Sequence, residues 1–164
     1  MILDIRRIFE NYAGPVERKF EADFSQDDFP GYEVPQKVEG MVSAVLEGRI
    51  LVLTLRETAG ITAPCARCLD EVRQEFLIER TYDIREGDWQ DEEAELPFTP
   101  EGRLDVTQLA REEILLEVPS VLLCSDDCLG LCPVCGKRRP CGCKPQEEDA
   151  VDPRLSVLKQ LLTD

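Results

Sequence analysis

The chain is expected to fold as α+β, with an antiparallel β-sheet core, a covering helix, a cysteine-rich segment and a C-terminal helix. Three observations lead there. Stretches of period-two alternation cluster in the first half of the sequence, one helical stretch follows them, and six of the eight cysteines crowd into 124–143. Strands first and a helix afterwards, without repeated strand–helix alternation, separates α+β from α/β. On this reading residues 1–123 form the core, 124–143 a cysteine-rich unit, and 144–164 a linker with a short amphipathic helix.

Each element has its own signal. Over 16–24, Val16, Phe20, Ala22 and Phe24 share a face interrupted by Arg18, while Glu17, Lys19, Glu21 and Asp23 occupy the other. Period two means a strand with one wet face. Phe29-Pro30-Gly31 turns the chain, and 41–47 and 49–56 read as two strands joined tightly at Glu47-Gly48, where glycine tolerates positive φ. Ile50, Leu51, Val52 and Leu53 are apolar on both faces, which predicts a central strand. Residues 57–63 read as a connection into Pro64-Cys65-Ala66-Arg67-Cys68. A further strand over 72–84 places Val72, Phe76, Ile78, Tyr82 and Ile84 opposite Arg73, Glu75, Glu79 and Asp83.

Residues 85–103 form an acidic, proline-containing connection, with Trp89 expected to fold onto the core edge rather than to serve as a binding tip. Asp105 is a good helix N-cap; Val106, Leu109, Ala110 and Ile114 follow at helical spacing, and Pro119 ends the run. A last helix starts at Asp152-Pro153, with Leu155, Leu158, Leu161 and Leu162 as its stripe. It is expected to dock on its own domain, with partner binding as the second reading.

Composition bounds the function. A chain of 164 residues with 43% hydrophobic content holds one modest core. No stretch approaches the roughly 20 apolar residues of a membrane span, and charge at Asp4 interrupts any signal-peptide core. A cytoplasmic protein with no membrane partner is therefore expected. The net charge of -15 and calculated pI near 4.4 repel phosphate, so RNA contact should be local or indirect. The sequence contains no histidine, which removes the commonest general base and every Cys-His or Ser-His dyad.

The cysteine density needs a chemical reason, and disulfides, an iron–sulfur cluster and structural zinc are the three that could supply it. Disulfides require an oxidising compartment. Cys128-x3-Cys132-x2-Cys135 has the spacing of the cluster motif in radical S-adenosylmethionine enzymes, but the chain is too short to supply their barrel. Zinc fits better. Cys132-Pro133-Val134-Cys135-Gly136 has the form of a zinc knuckle, and Cys141-Gly142-Cys143 offers two further thiolates close by.

The second C-x2-C, Cys65 and Cys68, lies in a turn between strands rather than at a helix N-terminus, which tells against a thioredoxin-like pair. It also lacks the upstream ligand and glutamate of a zinc nucleobase deaminase, since no histidine or cysteine precedes Cys65.

Several partitions of the cysteines stand open. The preferred one closes Cys132, Cys135, Cys141 and Cys143 around one zinc with little loop entropy lost, and joins Cys65 and Cys68 to Cys124 and Cys128 around another. A ribbon-like alternative pairs the two C-x2-C turns, leaving Cys124, Cys128, Cys141 and Cys143. A single zinc with four free thiols is the third. Either two-ion arrangement is closed, because four thiolates leave no position for water. Lys137, Arg138 and Arg139 lie between ligands of the compact set, either as a phosphate-contacting patch or as compensation for the charge of about -2 that four thiolates leave on the ion.

Several of these motifs resemble those of the YceD-like family of bacterial proteins. They are Cys65-Ala66-Arg67-Cys68-Leu69, Val118-Pro119 with Leu122-Leu123-Cys124, the run from Cys128 through Leu131-Cys132-Pro133-Val134-Cys135-Gly136, Cys141-Gly142-Cys143, and Asp152-Pro153-Arg154-Leu155. The resemblance is ordered along the chain. It implies a role in accumulation or maturation of large-subunit ribosomal RNA in bacteria and plastids, and carries no catalytic residues with it. Members resembling this chain carry the cysteine-rich C-terminal segment. Others lack much of it while keeping the early C-x2-C, which implies that the compact site is an elaboration and that Cys65 and Cys68 belong to a separate one.

Two functions of different class follow. The first is a noncatalytic zinc-binding factor in ribosome biogenesis, whose acidic body suits a basic partner such as a ribosomal protein or assembly factor. The second is an enzyme acting on RNA or thiols, which the absence of histidine, of a phosphate-cradling glycine loop and of paired acids in a recognisable setting disfavours.

Overall fold

The computed structural model describes residues 1–91 and 94–143. The chain begins with β1 (Ile2–Asp4), which runs directly into α1 (Ile5–Glu10), capped by the Asp4 carboxylate accepting from the Arg7 amide at 2.9 Å. Four strands follow: β2 (Val16–Ala22), β3 (Val38–Glu47), β4 (Ile50–Pro64) and β5 (Glu71–Arg85). They form one antiparallel sheet in the order β2-β3-β4-β5. A short 3-10 turn (Asp88–Gln90) leads to β6 (Arg103–Asp105), which pairs antiparallel with β1, and then to α2 (Val106–Glu117). The fold is thus mainly antiparallel sheet with two helices. None of its described helices is long and apolar enough to cross a membrane.

The period-two expectations hold. Glu47 pairs with Ile50 across Gly48-Arg49, and Gly48 takes a φ of 65° as that tight turn requires. β4 lies between β3 and β5, and only one of its faces is fully buried: Leu51, Leu53, Leu55, Ala59, Ile61 and Ala63 point into the core. Phe20, Ala22, Val38, Val42, Ala44, Ile78 and Ile84 extend that apolar layer across the sheet. α2 covers it through Val106, Leu109, Ala110 and Ile114. Its start is as expected, with the Asp105 carboxylate accepting from the Thr107 and Gln108 amides at 2.9 and 3.2 Å. The segment between β2 and β3 closes the layer with Phe24, Phe29, Tyr32 and Val34, and the Tyr32 hydroxyl donates to the Ile114 carbonyl at 3.4 Å.

Three expectations need correction. Residues 57–63 are strand, not connection, and pair with β5 as far as Pro64↔Glu71. Their core-facing positions are Glu57, Ala59, Ile61 and Ala63; small residues and a buried acid give little apolar alternation to read. The first sheet strand stops at Ala22 rather than reaching Phe24, because the chain turns at Ser25, whose amide donates to the Asp23 carboxylate at 3.0 Å. The small sheet of β1 and β6 was not expected at all, since each strand has only three residues. Trp89 does fold onto the core edge, its ring 5.9 Å from that of Phe9 on α1. The linker and helix read over 144–164 lie outside the described residues.

Between sheet and α2 the sequence also buries two acids. Glu57 is 2% exposed, flanked in register by Gly40 and Ile78, and neither of its carboxylate oxygens has a hydrogen-bond partner. Glu113 on α2 is satisfied: Arg80 Nε donates to it at 3.0 Å and the Tyr82 hydroxyl at 2.5 Å. Burial, reinforced by the nearby charge of Glu113, pushes the Glu57 carboxyl up to about 8.

Candidate metal centres

The sheet's longest hairpin, β4 to β5, carries Cys65 and Cys68 in its turn, where Val72 and Leu123 pack around them. Pro119 follows α2, and the chain then runs back to this turn, where the Ala66 amide donates to the Leu122 carbonyl at 2.9 Å. Cys124 and Cys128 therefore arrive beside Cys65 and Cys68. The four sulfurs lie within 4.8 Å of one another, and Cys132, Cys135, Cys141 and Cys143 form a second such set. The eight cysteines divide as the entropy argument preferred. The two C-x2-C turns do not share a site, so the ribbon-like pairing is not the one adopted.

The geometry of the first set can be compared with what an ion demands. Thiolates about 2.3 Å from a tetrahedral centre sit about 3.8 Å apart. Cys65 and Cys128 sulfurs are 3.8 Å apart, and those of Cys68 and Cys124 are 3.6 Å apart. An all-cysteine donor set at this spacing fits zinc, and all four positions are filled by protein. The second set offers the same donors within one short loop, and its Cys135 is exposed whereas Cys132 is buried.

Backbone amides prepare both sets for negative charge. Burial pushes the Cys65 thiol up, but the amides of Cys124, Arg67 and Cys68 outweigh it and lower it to about 6. The Cys124 and Arg67 amides lie 3.4 and 3.5 Å from its sulfur. In the second set the amides of Cys135 and Val134 lower Cys132 to about 6. Its neighbour Cys143 is held up at about 12, first by hydrogen bonding to Cys135 and Cys141. In each set one sulfur is thus favoured as the thiolate form that a metal ion binds.

Two arginines bind the sets together. The Arg67 guanidinium donates to the Asp126 and Cys128 carbonyls at 3.1 and 3.0 Å, while its own carbonyl accepts from the Leu131 amide at 3.1 Å. Arg138 comes from the loop of the second set but serves the first, pairing with Asp70 and lying 3.7 Å from the Cys124 sulfur. Arg138 therefore lies against the first cluster rather than the one whose loop carries it. Lys137 and Arg139 use their backbones instead: the Lys137 carbonyl accepts from the Cys132 amide at 2.8 Å, and the Arg139 amide donates to the Gly130 carbonyl at 3.0 Å.

The two knuckles share one turn but not one residue type. In the second, Gly136 takes a φ of 68° and its amide donates to the Cys132 carbonyl at 2.8 Å. In the first, Leu69 occupies the same place, with a φ of 64° and its amide 2.9 Å from the Cys65 carbonyl. The left-handed region costs a residue with a Cβ about 1–2 kcal/mol. Leucine's preferences give no hint of this, but aligning Cys65-Ala66-Arg67-Cys68-Leu69 on Cys132-Pro133-Val134-Cys135-Gly136 would have exposed it. Arg67, Asp70 and the buried Glu57 were likewise missed, because their roles are tertiary.

Fold and sites together define a small protein built on an antiparallel sheet, bearing two all-cysteine clusters able to hold metal ions. Residues 53–162 match the family described as large ribosomal RNA subunit accumulation protein YceD, and the chain belongs to that family. It is 30% identical over 146 residues to an uncharacterized protein of Mycobacterium tuberculosis and to one of Mycobacterium bovis, covering 78% of this chain and 70% of each relative. It is 31% identical over 108 residues to the uncharacterized protein YlbN of Bacillus subtilis, covering 60% of this chain and 59% of that protein. No solved structure matches it.

Proposed function

We propose that this protein is a noncatalytic, zinc-stabilised factor of the cytoplasm that supports accumulation or maturation of large-subunit ribosomal RNA, acting through a basic protein partner such as a ribosomal protein or assembly factor. The observation that carries the reading is the pair of closed four-cysteine clusters in a chain whose family is named for ribosomal RNA accumulation. A catalytic zinc keeps one position for water, whereas four thiolates leave none and soften the ion as a Lewis acid. The bound ion would hold segments together, and the protein's own amides and Arg138 would carry part of the thiolate charge. An acidic body of net charge -15 favours encounter with a basic protein over direct grip on phosphate. Removing the protein from cells should lower large-subunit ribosomal RNA relative to small-subunit RNA, and tagged protein should retain basic proteins in a salt-dependent way. Retention of free RNA alone would exclude the partner reading.

A further inference from the structure

Beside the first cluster the surface opens into a groove of ≈ 730 Å³, running between the β2–β3 segment and the turn end of β4 and β5. Its floor is aromatic: Phe29 and Tyr32 stack with ring centroids 5.2 Å apart. Its walls are acidic, with Asp27, Asp28, Glu33 and Glu71 among the lining residues and no lysine or arginine among them. Asp27 is paired with Arg111 and Glu71 with Arg73. The Asp28 and Glu33 carboxylates have no ion-pair partner among the described residues. Glu33 is held in place by its backbone, which exchanges hydrogen bonds of 2.8 and 2.9 Å with Thr62.

Leu69 lines this groove and leaves 67% of its surface exposed. Its position in the knuckle turn calls for a left-handed backbone, and Gly136 shows that glycine makes the equivalent turn. Leucine here adds strain without adding burial, so packing does not explain it. Strain retained at an exposed apolar side chain points to a contact outside the chain. We infer that Leu69 and the adjoining acidic groove form the docking site for a basic polypeptide segment, one that sets an apolar side chain against Leu69 and lysine or arginine against Asp28 and Glu33. Charge selects this occupant, since the Asp28 and Glu33 carboxylates, left without ion pairs among the described residues, repel nucleic acid and the floor accepts an apolar side chain. The inference deepens the partner reading above and rests on it.

The test uses full-length, metal-loaded protein on an array of short synthetic peptides tiling bacterial large-subunit ribosomal proteins. Unrelated basic peptides, and versions with every apolar residue replaced by serine, complete the array. The native protein should bind basic peptides that contain apolar residues, and Leu69→Gly should weaken that binding about tenfold or more while keeping metal content and without lowering the melting temperature. Leu69→Asn, which also tolerates the left-handed backbone, serves if the glycine variant loses metal. Asp28→Asn with Glu33→Gln should weaken binding and flatten its salt dependence. Unchanged binding by both Leu69 variants, or equal binding of the serine-replaced peptides, would overturn the docking site. Leu69-dependent binding that does not favour ribosomal peptides would support the groove while removing the ribosomal assignment.

Discussion

The two cysteine clusters use the same chemistry on different scales of sequence. The second gathers all its ligands from 132–143, and its metal would order one loop. The first joins a strand turn to a segment more than fifty residues later, Cys65 and Cys124 being 59 positions apart. Closing the longer loop restrains more of the unfolded chain, though only logarithmically with length. The larger difference lies in what is held: the first cluster fixes the segment after α2 against the end of the central hairpin and is partly walled by Val72 and Leu123. The same donor set can thus tie two distant segments together in one place and form a local clasp in another.

Cutting one cluster at a time is the sharpest way to break that comparison. Cys128→Ser should lower stability by about 3 kcal/mol or more, roughly 10 °C in melting temperature, because it removes both a ligand and the tie it maintains. Cys135→Ser, at the exposed corner of the second set, should leave the main unfolding transition within about 2 °C of the native one. Equal losses in thermal denaturation would make the clusters equivalent and the comparison wrong.

A firmer core makes the contrast easier to measure. Glu57 keeps its proton in the folded state up to about pH 8, while the unfolded chain releases it near 4.5. Between those values the folded protein binds more protons, so this group lowers stability as pH rises, and the loss is complete above about pH 8. The carboxyl faces Glu113, which Arg80 and Tyr82 already satisfy, so no cation among the described residues offsets it. Glu57→Met should stabilise the protein by about 2 kcal/mol at pH 7 and flatten stability against pH across that window, as urea titrations at several pH values would show. A variant less stable than the native chain at pH 7 would mean that the carboxylate has a partner in solution.

The arginine crossing between clusters gives a smaller effect. Arg138→Ala removes an exposed ion pair with Asp70, worth little by itself, together with a donor to the Cys124 sulfur. It should weaken metal binding at the first set about tenfold, measured by chelator competition, and leave the second within about twofold. A loss confined to the second set would reverse the assignment of Arg138.

Much of this was legible before the fold was known. The strands read over 16–24, 41–47 and 72–84, the Asp105 cap and the compact set of Cys132, Cys135, Cys141 and Cys143 all follow from local rules, with strand ends misplaced by two or three residues. What stayed hidden depends on long-range contact or on weak local signals. The second half of β4 faces the core with Ala59, Ala63 and a neutralised Glu57, so its alternation is faint. β1 and α1 are too short for periodicity, and α1 is marked chiefly by the Asp4 cap. Arg138 reaches the other cluster only because the fold brings Cys124 beside Asp70, and no spacing in the sequence encodes that.

On the proposed function each all-cysteine cluster holds a closed structural metal ion and neither acts as a reactive thiol site. Elemental analysis per chain, on protein purified without chelator and combined with a free-thiol count before and after metal release, tests it directly. Two zinc ions and no titratable thiol before release, with all eight thiols appearing after it, is the predicted result. One zinc with four reactive thiols, or iron in place of zinc, would contradict it.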